Sequence, residues 1–225
     1  MTNQNSIERA YKWLANCYWT KLGREGYTPL HKAAETGKLN KVPKSILTQE
    51  NLTKFDKDSL RTPLHYAAER GHLDQVPREL LTSENILLPN SHGETVLHFA
   101  ACGHLDQLPK ELLTPDIFSV QAHNGSTPIH WAGSHYIHTI PTSALTDKNL
   151  LTTYNSGQTN ITTEECSVIG MLKAQGGLDH LLGLELGESC QKIAGQEWCD
   201  KNNRIKLAKR ALTTPITESS DLDIF

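Results

Sequence analysis

The feature that most constrains this chain is a nine-residue motif that returns along it at a nearly fixed interval. Its general form is Gly-x-Thr-Pro-Leu-His-x-Ala-Ala, and the first copy begins at Gly26. The threonines of successive copies, spaced by 34, 33, 32 and 32 residues, are Thr28, Thr62, Thr95, Thr127 and Thr159. A period of this length predicts helical modules stacked side by side, in which each module contacts only its neighbours.

Each residue type in the motif has a physical role at the start of a helix. The threonine side chain accepts a hydrogen bond from a free amide of the first turn, and proline fits the first helical position because its missing donor would be unpaired there. The leucine and the paired alanines that follow fall on one face, and small alanine side chains let a neighbouring helix approach closely. We therefore expect each motif to start a helix that stacks on the next one.

With the Gly-(His/Lys)-Leu step that follows it, the motif resembles the ankyrin repeat over roughly residues 23 to 155. The resemblance implies an all-α ankyrin-repeat solenoid, with a β-turn and two antiparallel helices per unit. It also implies a curved rod whose turns and first helices line a concave protein-binding surface. In that family the repeated histidine is a structural hydrogen-bonding residue, which here would be His31, His65, His98 and His130.

The second half of each unit departs from common ankyrin units, which have no proline at the places held by Pro43, Pro77, Pro109 and Pro141. A proline there would break a continuous helix but can start one, so we expect a short second helix of roughly one to two turns beginning near each proline. This variant is similar to the repeats of bacterial ankyrin-type proteins. One further helical turn is predicted after each of three capping threonines, Thr48, Thr82 and Thr114.

These patterns divide the chain into five parts. They are an N-terminal capping helix at 1–22, four repeats at about 23–55, 56–89, 90–121 and 122–154 (23–155 in all), a divergent fifth repeat at 155–187, C-terminal capping helices at 188–212 and an acidic tail at 213–225.

The two ends of the array are predicted from helical periodicity. Ser6 is a candidate cap for the first helix. We expect this helix to pack on the first repeat through an apolar stripe and two tryptophans, namely Ile7, Tyr11, Leu14 and Tyr18, with Trp13 and Trp19. In the fifth repeat a capping box at Thr162 and Glu165 predicts a helix that stops at Gly176-Gly177. Beyond it, one or two amphipathic helices should turn apolar residues inward, namely Cys190, Ile193, Ala194, Trp198, Ile205, Leu207, Ala208 and Leu212.

Composition narrows the function classes. The chain has 225 residues, 37% of them apolar, and a formal net charge of −3 with basic and acidic residues interspersed. Nothing in that balance favours a nucleic-acid or membrane surface, and no segment approaches the ~20 apolar residues of a membrane span. We expect a cytoplasmic monomer.

Catalytic and metal-binding patterns are weak. There is no glycine-rich phosphate loop, nucleophile elbow or triad-like arrangement. Most of the eleven histidines belong to the repeated motif or to the Gly-His-Leu step that follows it. The cluster left to consider is His130, His135 and His138, with His123 as a further candidate. No acidic or cysteine ligand recurs at a matching interval beside these histidines. The sequence therefore predicts a protein that is not an enzyme and has no cofactor or metal.

A binding surface remains, carried by turn tips and by the exposed ends of first helices. Carried over unit by unit from the ankyrin family, the predicted partner-binding residues are Tyr27, Glu35, Thr36, Arg61, Glu69, Arg70, Glu94, Cys102, Ser126, Trp131 and Ser134, with Gln158 as a fifth turn position. Aromatic and arginine anchors tend to dominate interface energy, which favours Tyr27, Arg61, Arg70 and Trp131; Trp131 fits the core equally well.

The favoured hypothesis is an adaptor that binds another protein on the concave face. One alternative is a small enzyme or metal-binding protein that uses the divergent region after residue 156. Another is a replication-associated protein tethered by its tail, because the last five residues resemble the peptide by which bacterial proteins dock on the sliding clamp, although Asp221 replaces its glutamine and loses the amide. The tail residues are Asp221, Leu222, Asp223, Ile224 and Phe225.

Overall fold

The computed structural model describes residues 2–23, 26–155 and 164–213. Within them the β structure consists of two isolated bridges, Pro89 with Thr95 and Thr153 with Ser167, so the predicted all-α solenoid is confirmed. The α-helices are α1 (Thr2–Trp19), α2 (Pro29–Glu35), α3 (Gln49–Leu52), α4 (Pro63–Arg70), α5 (Ser83–Ile86), α6 (Val96–Ala100), α7 (Pro128–Tyr136), α8 (Asp147–Leu151), α9 (Val168–Ala174), α10 (Glu188–Ala194) and α11 (Gln196–Thr213).

The first helices of the units begin where the motif predicts. Thr28 and Thr62 are the N-caps of α2 and α4, and each side chain accepts a hydrogen bond from a backbone N–H three residues later. Proline occupies the first helical turn of α2, α4 and α7. The cap and the proline thus fix the starts of α2 and α4 from local residues alone.

The first helices stack in sequence, α2 on α4, α4 on α6, α6 on α7 and α7 on α9. The motif leucine or its counterpart is fully buried in every unit, and small alanines pack beside it. Those core side chains are Leu30, Leu64, Leu97, Ile129 and Ile169. Burying a side chain of this size contributes about 1.5 to 3 kcal/mol, so this row supplies a large share of the stability of each junction.

The second half of a unit is more tightly wound than an α-helix. Single 3-10 turns, Arg78–Leu80, Lys110–Leu112 and Thr142–Ala144, directly follow Pro77, Pro109 and Pro141. The prediction that a short helix starts at each proline is confirmed for these units. It is wrong for Pro43, which is followed by a hydrogen-bonded turn at 44–46 and no helix. Proline supports the start because its fixed φ suits a first turn and its missing donor would be unpaired.

Thr48 and Thr82 cap α3 and α5 as predicted, each accepting a hydrogen bond from an N–H three residues later. Thr146 does the same for α8. The prediction for Thr114 is wrong, because the turn that follows it is 3-10, spans Ile117–Ser119, begins after Asp116 and has no side-chain cap.

The repeated histidines are hydrogen-bonded at both ring nitrogens, to their own unit through Nδ1 and to the next unit through Nε2. In every case Nδ1 accepts the backbone N–H of the motif's own threonine, at 3.1 to 3.2 Å. Nε2 reaches a backbone carbonyl of the following unit: His31 to Arg61 (3.3 Å), His65 to Glu94 (3.3 Å), His98 to Ser126 (3.2 Å) and His130 to Cys166 (3.3 Å). His31 Nε2 also lies 3.0 Å from the Lys54 carbonyl at the end of the first unit.

These bonds determine the tautomer and charge of the four rings. An Nδ1 that accepts an N–H carries no proton, so Nε2 carries it and donates to the carbonyl. Burial lowers the pKa of all four histidines, and it lowers the pKa of His65 and His130 to about 4. Each bridge is therefore neutral at pH 7.

The last of these bridges shows where the fifth unit begins. The carbonyl that receives His130 precedes Ser167, which caps α9 through its side chain. Thr159 and Thr162 lie outside the described residues, and the prediction that Thr162 caps this helix is wrong, since α9 starts at Val168. Its end at Gln175, followed by the left-handed Gly176, agrees with the predicted glycine stop.

The N-terminal helix packs differently from the prediction. The expected stripe is exposed, with 69% of Tyr11 and 61% of Tyr18 accessible, and Trp13 is 66% exposed. Contact with the first unit comes instead from Ala15 and Trp19, which are partly buried against the core. A helix at the end of a stack has one neighbour, so only a narrow face of α1 is covered.

At the other end, α10 and α11 are separated at Gly195 and cover the fifth unit. Cys190, Ala194 and Trp198 are buried as predicted, whereas Leu207 and Leu212 are 64% and 86% exposed. The predicted inward face is therefore wrong for the second half of α11, which extends past the last module it could pack on.

We expect acid to destabilise the array through its histidine bridges. Unfolded histidine titrates near 6.5, while the folded pKa of His65 and His130 is about 4, so the unfolded chain binds more protons between these values. The contribution of these two histidines to the free energy of unfolding is fully present above pH 6.5 and is lost as the pH falls toward 4. At pH 5 the contribution of each histidine is smaller by about 2 kcal/mol than at neutral pH. Urea unfolding at pH 7.5 and 5 measures the loss. His65→Gln should be less stable at pH 7.5 but less pH-sensitive, and an unchanged pH dependence would contradict this account.

A glycine at the end of a first helix lies against an aromatic ring of the next unit. Gly71 has φ +71°, and a Cβ there would lie 2.6 Å from Cε1 of His104. Gly176 has a similar φ of +76° but open space around it. Substitutions at Gly71 and Gly176 therefore distinguish the cost of left-handed backbone strain from the cost of contact with the next unit.

We expect Gly176→Ala to cost about 1 kcal/mol through left-handed strain alone, and Gly71→Ala to cost about 1 kcal/mol more because His104 must also move. Urea unfolding of both variants tests this difference. Equal losses would show that the ring contact does not constrain Gly71.

Candidate functional site

One aromatic side chain from each of four units forms a row along the edge where the turns meet the first helices. We call Tyr27, Tyr66, Phe99 and Trp131 the aromatic row. Tyr27 and Tyr66 meet edge to face with ring centroids 5.3 Å apart, and Phe99 and Trp131 do so at 5.1 Å. Such pairs each add about 0.5 to 1.5 kcal/mol beyond area burial, so the row also joins the units.

Arg61 connects the two halves of this row. Its guanidinium lies 4.6 Å from the centre of Phe99 and 5.8 Å from that of Tyr66. It also forms ion pairs with Glu69 of its own unit at 3.1 Å and with Glu94 of the next at 4.0 Å. The planar guanidinium suits this combination of stacking and pairing, which a lysine ammonium cannot reproduce.

Tyr27 is also engaged within its own unit. Its hydroxyl donates to Glu35 at 2.8 Å, and Lys32 donates to the same carboxylate oxygen at 2.6 Å. Burial, followed by the hydrogen bond to Glu35, raises the pKa of Tyr27. The hydrogen bonds from Lys32 and Tyr27 in turn lower the pKa of Glu35. The row therefore begins with a neutral phenol beside a carboxylate.

A buried carboxylate supports the row at Tyr66, whose hydroxyl donates to Asp56 at 2.9 Å. Burial alone would raise the pKa of Asp56, but hydrogen bonds from the Ser59 N–H and hydroxyl and from Tyr66 lower it overall. The ionised Asp56 thus holds both the turn and the tyrosine ring in place.

The predicted partner-binding residues differ in exposure. Thr36, Glu69 and Arg70 are exposed, and Ser126 is buried. The remainder are half-buried: Tyr27, Glu35, Arg61, Glu94, Cys102, Trp131 and Ser134. Gln158 and the tail residues Asp221 to Phe225 lie outside the described residues.

Trp131 and Ser126 act together. The Trp131 Nε1–H donates to the Ser126 hydroxyl at 3.2 Å, and that hydroxyl donates to Asn124 at 2.7 Å. The Trp131 side chain is thus partly buried and partly exposed, and its hydrogen bond to Ser126 orients the ring. Beside them, burial and then the Glu69 charge raise the pKa of Cys102.

Three members of the site, Tyr66, Phe99 and Asp56, are absent from the predicted set. The sequence does carry a signal for the aromatic row, because the position after the motif histidine is aromatic in three successive units, as Tyr66, Phe99 and Trp131. Asp56 has no counterpart in the motif, and only the folded turn places it under Tyr66.

The histidines considered as metal ligands do not converge. The ring of His138 lies 5.9 Å from that of His180 and the ring of His135 lies 6.5 Å from that of Tyr136. Across residues 2–23, 26–155 and 164–213, no group of three or more His, Cys, Asp or Glu side chains could hold a metal ion.

Comparison with known proteins identifies the family. A family model described as ankyrin repeats (3 copies) matches residues 2–77 and 44–113. The chain is an ankyrin repeat protein. The match ends at residue 113, yet the histidine bridge and the helix stacking of the ankyrin array continue through α7 to α9. A search of curated proteins found no match.

Ankyrin repeats generally mediate protein–protein interaction and are generally not enzymes. None of the helices in the described part of this chain has the length and apolar character needed to cross a membrane.

We expect Arg61→Ala to lower the free energy of unfolding by about 1 to 2 kcal/mol, because it removes a cation–π contact and two partly shielded ion pairs. Arg61→Lys should recover about half of the loss, since it keeps the charge without the planar stack. Chemical denaturation measures both. Arg70→Ala, an exposed arginine of the same unit, is the control and should change stability by less than about 0.5 kcal/mol; an equal effect of Arg61→Ala and Arg70→Ala would contradict the bridging role.

Proposed function

We propose that this ankyrin repeat protein is a non-catalytic adaptor that binds a partner protein on its concave face. The binding surface would comprise the aromatic row and the helix ends beside it. The observation that carries the proposal is the row itself, in which aromatic groups from four units lie side by side, rigidly held and partly accessible.

Rigidity supports this role. The bonds of Tyr27 to Glu35, Tyr66 to Asp56 and Trp131 to Ser126 hold three rings of the row in fixed orientations before any partner arrives. A preorganised surface loses less side-chain entropy on association, and aromatic residues at the centre of a contact are the usual energetic anchors.

Charge would add selectivity at the rim. Arg61 is already paired with two glutamates, so its removal would disturb the fold as well as the surface. Thr36 and Arg70 are exposed, and we assign the selective contacts to them rather than to Arg61. Rim charges mainly set association rate and partner choice.

The remaining predictions have no specific observation in their favour. The sliding-clamp peptide at residues 221–225 lies outside the described residues, and no described cluster supports an enzyme or metal protein. A cytoplasmic, monomeric adaptor without nucleic-acid or membrane binding remains our prediction from composition.

The test is site-specific photo-crosslinking in the cells that make the protein. A benzophenone amino acid is placed at Thr36 or Arg70, with Lys44 in the second half of the first unit as the matched control position. We expect the same protein to be captured from both concave positions and not from Lys44. Arg70→Glu, combined with the probe at Thr36, should reduce that capture at least tenfold while leaving the melting temperature within about 2 °C. Equal capture from Lys44, or capture that survives Arg70→Glu, would refute the assignment.

A further inference from the structure

Adjacent units are also joined by glutamine side chains that reach back to the preceding unit. The Gln107 Oε1 accepts the Leu73 N–H at 2.8 Å, and its Nε2 donates to the Gly71 carbonyl at 2.9 Å. Gln75, one unit earlier, accepts the Asn40 N–H at 3.3 Å. A carboxamide is suited to this role because one end accepts and the other donates.

The junction between the third and fourth units has no such glutamine. The step Leu105-Asp106-Gln107 becomes Ile137-His138-Thr139, so a threonine stands at the glutamine position. Thr139 is too short to reach back, and its hydroxyl donates to the Tyr136 carbonyl of its own unit at 2.7 Å. Across the described residues, no protein group pairs with the Leu105 N–H or the Gly103 carbonyl, which correspond to those of Leu73 and Gly71.

A second link is missing at the same junction. Arg78 of the second unit pairs with Glu111 of the third at 3.1 Å. The corresponding residues one unit later are Lys110 and Ser143, which cannot form an ion pair. The glutamine link and this ion pair are therefore both absent where the third unit meets the fourth, while the His98 bridge and the Phe99–Trp131 contact remain.

A groove of about 650 Å³ opens at this place. Gly103, Leu105 and Leu113 line it from the third unit, and Thr139, Pro141 and Ser143 line it from the fourth. Its volume lies within the range of small-ligand sites, roughly 300 to 1,000 Å³. The walls are mainly apolar, and the two backbone groups without protein partners belong to residues that border it.

We propose that this groove binds a partner segment that presents a glutamine side chain. The carboxamide oxygen accepts the Leu105 N–H and the carboxamide nitrogen donates to the Gly103 carbonyl, as Gln107 does one unit earlier. A glutamate could accept but not donate, and a lysine could donate but not accept. The wall carries one residue of each charge, Asp106 and Lys110, so the preference for a carboxamide rests on this pairing of one acceptor with one donor. Apolar neighbours of the glutamine pack on Leu113 and Pro141.

This site goes beyond the proposed adaptor function and shares no residue with the aromatic row. A partner held on the concave face and a glutamine-bearing segment held in the groove could therefore be bound together. The two proposals can also fail separately, since Arg70→Glu should leave the groove unchanged.

The test uses the full-length, ¹⁵N-labelled chain and the peptide acetyl-Ala-Leu-Gln-Leu-Ala-amide, followed by NMR. We expect saturable shifts of the Leu105 amide signal, and binding at least tenfold weaker when glutamate replaces the glutamine in the peptide. Thr139→Gln supplies the carboxamide from within the chain, so it should weaken peptide binding at least tenfold and raise the melting temperature. Thr139→Val cannot reach back and should bind the peptide as the parent does.

Amide hydrogen exchange provides an independent readout that needs no peptide. In the parent chain the Leu105 N–H should exchange faster than the Leu73 N–H, and Thr139→Gln should remove the difference. An unshifted Leu105 signal at millimolar peptide, equal binding of the glutamine and glutamate peptides, or Leu105 exchange as slow as that of Leu73 in the parent chain would each overturn the proposal.

Discussion

The rest of the structure depends on the hydrogen bond from a buried, neutral histidine to a turn carbonyl of the next unit. The same carbonyl also closes its own turn, since the Asp56 N–H donates to Arg61 O and the Asn90 N–H to Glu94 O, both at 2.8 Å. The carbonyl would keep this turn hydrogen bond without the histidine, but a buried Nε2–H left without an acceptor would cost about 1 to 3 kcal/mol, so the ring and the turn must stay in register. Each unit thereby sets the position of the next.

This constraint also places the candidate site. The residues whose carbonyls receive the histidines include Arg61, Glu94 and Ser126, and their side chains face the aromatic row. Fixing the backbone of Arg61 therefore fixes the guanidinium between Tyr66 and Phe99. The bridges that hold the array together and the surface that we propose for recognition are built on the same turns.

Much of this could be predicted from the sequence because it repeats. A threonine cap, a proline and a buried leucine act through local geometry, and recurrence in several units separates them from chance. The start of the first helix in the fifth unit could not be predicted from the motif, because Ser167 replaces the threonine and Gly170 the histidine, so the pattern around Thr159 is the stronger signal. Tyr11 and Tyr18 were misplaced because a periodic apolar stripe shows which residues share a face, not whether anything covers it.

The most direct test of the account is the protonation state of the four bridging histidines, read from long-range ¹H–¹⁵N NMR spectra of the ring nitrogens. We predict the neutral tautomer with the proton on Nε2 for His31, His65, His98 and His130 at pH 7, with His65 and His130 still neutral at pH 5. Rings protonated on Nδ1 at pH 7, or His65 and His130 titrating near 6.5, would contradict it.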